Sequence, residues 1–150
     1  MIIPTRQFGS VDIEEEKIVS MPKGMPGFPG KEKFILLSHE EIDPILSFQS
    51  VDDPDLAFAL MDPFLFMPDY AIDLDAAVRD MAWDVEKPEE IFLYSIINAS
   101  SDRPEEITAN LAGPLLVHTG INEAVQLVIT DERYSHKHQI FAAEEAQAEG

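Results

Sequence analysis

Three sets of residues in this chain are of types that could do chemistry: a glycine-rich loop, a pair of neighbouring histidines and a large number of carboxylates. The loop is "GMPGFPG", from Gly24 to Gly30. A phosphate-binding loop aims successive backbone N–H groups at the anion from a helix N-terminus, with a Lys and a Ser or Thr to complete the site. Pro26 and Pro29 carry no N–H, and neither a helical pattern nor "GK[ST]" follows them. The loop is therefore expected to turn the chain, with Gly24, Gly27 and Gly30 at positive φ and Met25 and Phe28 dropped onto a sheet.

The segment "YSHKHQ" places His136 and His138 two residues apart, on one face of any strand, as some metal sites require. No spacing supplies a third ligand and the chain has no cysteine. His39 and His118 stand alone, and no "GxSxG" marks a nucleophile. No catalytic residue, metal site or cofactor is expected. Carboxylates recur as "EEE" at 14–16, "DDPD" at 52–55, "DLD" at 73–75 and "EKPEE" at 86–90. Two of them could serve as acid and base in a hydrolase, but that requires a defined separation and a cleft. Their abundance fits a solvated acidic face or a docking surface for a basic protein.

Charge narrows the partners. Ten Lys and Arg against 29 Asp and Glu give a formal charge of -19, which repels nucleic acid and anionic lipid and attracts basic protein surfaces. The start "MIIPTRQFGS" lacks the basic and long apolar stretches of a secretory signal, and no apolar run approaches the roughly 20 residues of a membrane span. A cytoplasmic protein without direct contact to nucleic acid or membrane is expected.

The elements that would position these groups are short strands. Ile2–Thr5 and Val11–Ile13 flank Gly9 as a hairpin, and Ile18–Met21 leads into the glycine loop. "KFILL" (33–37) and "ILSFQSV" (45–51) are strand-like, with Ser47 and Gln49 alternating against Leu46 and Phe48 as in a half-buried strand. Asp52–Asp55 suits a β-turn, and Leu56–Met61 the returning strand. In "DLDAAVRDMAW", Asp73 or Asp75 can cap a helix whose face is Leu74, Ala77, Val78 and Met81. "IFLYSIIN" (91–98) is apolar on both sides, as a central strand would be. "ITANLAG", "PLLVHT" and, after a turn at "GINEA", "VQLVIT" follow as strands. The fold class expected is mostly β, a small compact β-barrel-like domain with one short helix spanning 1–141, then an acidic tail at 142–150.

Aromatic residues cluster where regular pairing is blocked. "FALMDPFLFMPDY" gathers Phe58, Phe64, Phe66 and Tyr70 around Leu65 and Met67, between prolines that interrupt a strand. Some of these are expected in the core and some in a groove for a partner.

Several stretches in order carry a resemblance: "MIIPTRQFG", "GMPGFPG" followed by "KFILL", "FQSVDDPDLAFALMDPF", and late "GPLLVHTGINEAVQLVI". The series resembles the FliW family of flagellar assembly factors from Met1 to about Ile140. It departs from the family pattern at Asp62, where Asn is usual, and at "SHKHQI". The resemblance implies a β-barrel-like cytoplasmic protein without catalytic activity, whose partners are the RNA-binding regulator CsrA and flagellin. It also implies that binding stops CsrA from repressing flagellin translation. By chemistry and loop placement, the partner-binding residues expected are an acidic rim of Asp52, Asp53, Asp55 and Asp62 around Phe64, Leu65 and Phe66. The rival readings are an acidic binding module for another basic protein and a carboxylate-based hydrolase.

Overall fold

The computed structural model describes residues 1–98, 103 and 106–140. The expected tail at 142–150 lies outside the described residues. Among the described residues ten strands and one α-helix follow in order: β1 (Ile2–Thr5), β2 (Gly9–Asp12), β3 (Val19–Ser20), β4 (Lys33–Leu37), β5 (Leu46–Ser50), β6 (Ala57–Met61), α1 (Leu74–Asp80), β7 (Ile91–Asn98), β8 (Thr108–His118), β9 (Glu123–Gln126) and β10 (His138–Gln139). Strands β3 to β8 pair antiparallel with their neighbours in sequence. Strand β9 then pairs antiparallel with β8 and parallel with β3, at Ser20 opposite Glu123, closing a seven-stranded barrel.

Side chains fill the interior. Phe34 and Phe48 stack with ring centroids 4.6 Å apart, surrounded by Val19, Leu60, Leu115 and Val117. The glycine loop stops one end of the barrel with three successive turns. Gly24 N–H donates to Met21 O, Phe28 N–H to Met25 O, and Lys31 N–H to Phe28 O. In the second and third, Pro26–Gly27 and Pro29–Gly30 occupy the central positions, and the glycines have φ of 88° and 81°. That Pro–Gly order with positive φ is the chemistry of a type II turn. Met25 is buried in the barrel core as expected, whereas Phe28 packs edge-on against Phe58 and stays 38% exposed.

Other parts of the chain cover the outside of the barrel. The β1–β2 hairpin sets Ile3 and Ile13 on Ile35. Asp73, not Asp75, caps α1 by accepting from Ala76 N–H, and the expected face of Leu74, Ala77, Val78 and Met81 packs with Trp83 on Leu116 and Val125.

Three expectations need correction. Ser47, Phe48, Gln49 and Ser50 are all buried, so β5 is not half-exposed. Gln49 is tolerated there because its amide donates to Asp53 O and Leu56 O, tying down its own turn. "ITANLAG" and "PLLVHT" form one strand, β8, whose residues 111–114 bulge opposite Ser95 of β7. The last barrel strand begins at Glu123 and stops at Gln126, because Leu127 and Ile129 donate instead to Pro114 O and Ala112 O of that bulge.

Truncating Phe48 removes a stacked, fully buried ring. Phe48→Ala is expected to lower stability by about 3–5 kcal/mol, while Val128→Ala, at an 84% exposed side chain, stays within about 0.5 kcal/mol. Urea unfolding of both variants checks this.

Candidate functional site

Strand β6 ends at Met61, and Asp62 starts a single 3-10 turn over Pro63–Leu65. Its Oδ1 accepts from Phe64 N–H at 2.9 Å, satisfying a donor that the turn leaves free. Pro63 supplies a preset φ at the first position and is buried against the barrel. The next two side chains are consequently thrown outward: Phe64 is 46% exposed and Leu65 59%. Phe66 turns back, half-buried, and stacks on His138 at 5.9 Å.

Two tyrosines hold the segment in place. The buried Tyr70 hydroxyl donates to Leu111 O in the β8 bulge at 2.6 Å, and its ring meets Tyr134 edge-on at 4.7 Å. The Tyr134 hydroxyl accepts from Ala71 N–H and donates to Ala71 O. Burial, reinforced by the neighbouring Tyr134, pushes the Tyr70 phenol up to about 12. Nothing in the sequence sets Tyr134 apart as an anchor. Its signal there is no more than an aromatic residue near the histidine pair.

Phe92 of β7 is a further exposed aromatic residue. It belongs to the stretch expected to be apolar on both sides, but β6 stops opposite Ser95, so β7 runs on past it and Phe92 is 43% exposed. Its ring stacks on Tyr94 at 6.2 Å. Burial, and then the charge of Asp62, raise the Tyr94 phenol. Phe64 and Leu65 thus project from the turn that Asp62 caps, and Phe92 from β7.

The expected rim does not assemble around this patch. Asp52, Asp53 and Asp55 lie in the turn before β6, at the other end of a five-residue strand, roughly 16 Å away at strand rise. There Asp53 Oδ1 accepts from Asp55 N–H and Oδ2 lies 3.7 Å from Lys31 Nζ. Asp52 and Asp55 are exposed. Of the four acids, Asp62 alone adjoins Phe64 and Leu65. Spacing along the chain misled here because a hairpin strand separates its two ends by its full length.

The histidines are likewise dispersed. His138 lies in β10 opposite Ala109 while His136 is exposed before the strand begins, so the two do not share a strand face. Among the described residues no three His, Cys, Asp or Glu side chains gather as metal ligands do. His118 is buried edge-on to Trp83, and its Nδ1 accepts from Gly120 N–H. Arg133 forms a two-pronged hydrogen bond to Asp131, which holds that carboxyl below its ordinary range.

With this geometry in hand, similarity to known proteins decides the family. A family model described as "FliW protein" matches residues 2–140. The chain belongs to the FliW family. Among its relatives is the flagellar assembly factor FliW of Geotalea uraniireducens, 39% identical over 150 residues that cover 100% of this chain and 90% of that one. The FliW of Caldanaerobacter subterraneus subsp. tengcongensis is 33% identical over 141 residues, covering 93% of each chain. A crystal structure of the flagellar assembly factor FliW superposes with a TM-score of 0.84 at 32% identity, covering 94% of this chain and 97% of that one. The barrel with its single helix is thus a FliW fold.

The tyrosine anchor predicts a pH dependence. A phenol raised in the folded state favours folding fully below the unfolded pKa near 10, and this contribution is lost as pH rises to about 12. Stability is expected to fall by about 2–3 kcal/mol more across pH 10–12 in the native chain than in Tyr70→Phe. Urea denaturation at stepped pH compares the two.

Proposed function

We propose that this FliW-family chain is a flagellar assembly factor that works in the cytoplasm by binding proteins rather than by catalysis. It binds and antagonises the translational regulator CsrA, and it binds flagellin, coupling flagellin level to flagellin translation. The relatives carry the name flagellar assembly factor, which supports the first part. The observation that carries the rest is an exposed apolar patch, Phe64 and Leu65 with Asp62 at its edge, on a chain of net charge -19.

The physical logic joins the two features. Apolar side chains on a short capped turn are held in place before a partner arrives, so little ordering entropy is lost on docking. CsrA presents a basic surface to RNA, and an acidic protein seated beside that surface repels the RNA phosphates within about a Debye length, ~8–10 Å. It need not occupy the site where the bases bind. Asp62 adjoins the contact, whereas Asp52, Asp53 and Asp55 act from farther off by steering encounter.

These roles separate kinetically. The double variant Phe64→Ala, Leu65→Ala is expected to weaken CsrA binding at least about tenfold, mainly through faster dissociation. Asp52→Lys with Asp53→Lys should instead slow association and flatten its salt dependence. Titration calorimetry and stopped-flow mixing with CsrA at two ionic strengths measure both. Absence of heat and of co-elution with CsrA would leave flagellin or another basic protein as the partner and remove the regulatory reading.

A further inference from the structure

Three clusters of the chain's own residues cover the outside of the barrel, over Ile35 of β4, over Leu93 of β7, and over Leu116 and Val125 of β8 and β9. None of them reaches the outward positions of β5 and β6. With Phe48 and Leu60 inside, those positions are Ser47 opposite Ala59 and Gln49 opposite Ala57. Apart from Gln49, whose amide is turned onto its own loop, these side chains are small, and a groove follows them. One cavity of about 400 Å³ lies over Ser47 and Ala59 under Ile42 and Ile45. A second of about 380 Å³ lies over Gln49 beside Asp55. They share Gln7 and Ala57 and so adjoin one another along β6.

Two further observations bear on its occupant. Ser47 lines the first cavity and is 3% exposed, and its hydroxyl oxygen, buried beneath that surface, has no hydrogen-bond partner among the described residues. Burying a hydroxyl without a partner costs about 1–3 kcal/mol, so a bound group that reaches it recovers that loss. Both ends of the groove are acidic. Glu41 lines one end with Glu40 and Asp43 in the same loop, and Asp55 lines the other with Asp52 and Asp53 in the same turn. Arg6 is the one basic side chain on its walls.

We infer that this groove is a second docking surface, separate from the Phe64–Leu65 patch, and that it takes an amphipathic helix of a partner protein with Lys or Arg near both ends. A helix is required rather than an extended segment. Strands β5 and β6 already pair on both sides, so an added strand would find no backbone partners, whereas a helix satisfies its own. The small residues Ser47, Ala57 and Ala59 let a helix approach closely. A five-residue strand spans roughly 16 Å, the length of about eleven helical residues, which matches cations in the first and last turns to the two acidic ends. A polar side chain in the middle of that helix meets Ser47.

The surface is tested without the partners proposed above, by titrating the isotope-labelled chain with a synthetic helix of leucines at i, i+3, i+4 and i+7 and lysines at both ends. A counterpart with glutamate replacing lysine serves as control. Amide shifts are expected at Ser47, Gln49, Ala57 and Ala59. Ala59→Phe, which fills the groove, should weaken binding at least about tenfold. Glu41→Lys, an exposed change that leaves the thermal melt unaltered, should weaken it about fivefold and keeps the test valid if Ala59→Phe fails to fold. The inference is overturned if those amides do not shift, if shifts centre on Asp62–Phe66, if neither variant matters, or if the glutamate helix binds equally well. It is also overturned if sedimentation shows a second copy of the chain on this face.

Discussion

The structure depends on the closure made by β9. This four-residue strand pairs antiparallel with β8 and, at Ser20 opposite Glu123, parallel with β3. Without it both neighbours would present open edges, which invite pairing with other chains. With it, the inner faces of seven strands converge and a barrel of that size is filled by its own side chains. The stacked Phe34 and Phe48 rings occupy the middle, and the tandem turns of the glycine loop lower Met21 and Met25 into one end. Closure also limits how partners can bind. A sheet paired all the way round offers side chains rather than backbone.

Irregular segments carry the exposed apolar surface, and each irregularity is anchored. Residues 111–114 leave the β7–β8 ladder, and their polar groups are taken up by Tyr70 and by N–H groups of Leu127 and Ile129. The chain from Asp62 to Ile72 wanders outside any strand, held by Asp62, Tyr70 and Tyr134. Buried hydrogen bonds of this kind fix a loop at both ends and leave its tip free to face solvent. Phe64 and Leu65 stand at that tip. The acidic residues are placed differently, on turns at both ends of the β5–β6 hairpin, so their negative charge does not form a single rim.

Much of this was legible where local chemistry decides the outcome. The limits of β4 and β7 follow from runs of apolar and β-branched residues, and α1 from an Asp cap and a 3.6-residue apolar period. Positive φ at Gly27 and Gly30 follows from the proline that precedes each. Local chemistry does not decide the outcome where a distant element intervenes. The burial of Ser47 and Gln49 reflects neighbouring parts of the fold and a side chain turned onto its own loop. The exposure of Phe92 reflects the point at which β6 stops.

The amino-acid sequence by itself determined the turns, the caps, the strand-forming runs, the acidic charge and, through its ordered motifs, membership of the FliW family. Each depends on neighbours within a few residues or on totals over the chain. Only the tertiary structure decided that Asp52–Asp55 and Asp62 lie at opposite ends of a strand, that Tyr134 anchors a loop 63 residues away at Ala71, and that a groove follows β6. Those placements depend on strand register and barrel closure, which bring together residues whose separation along the chain carries no record of their separation in space.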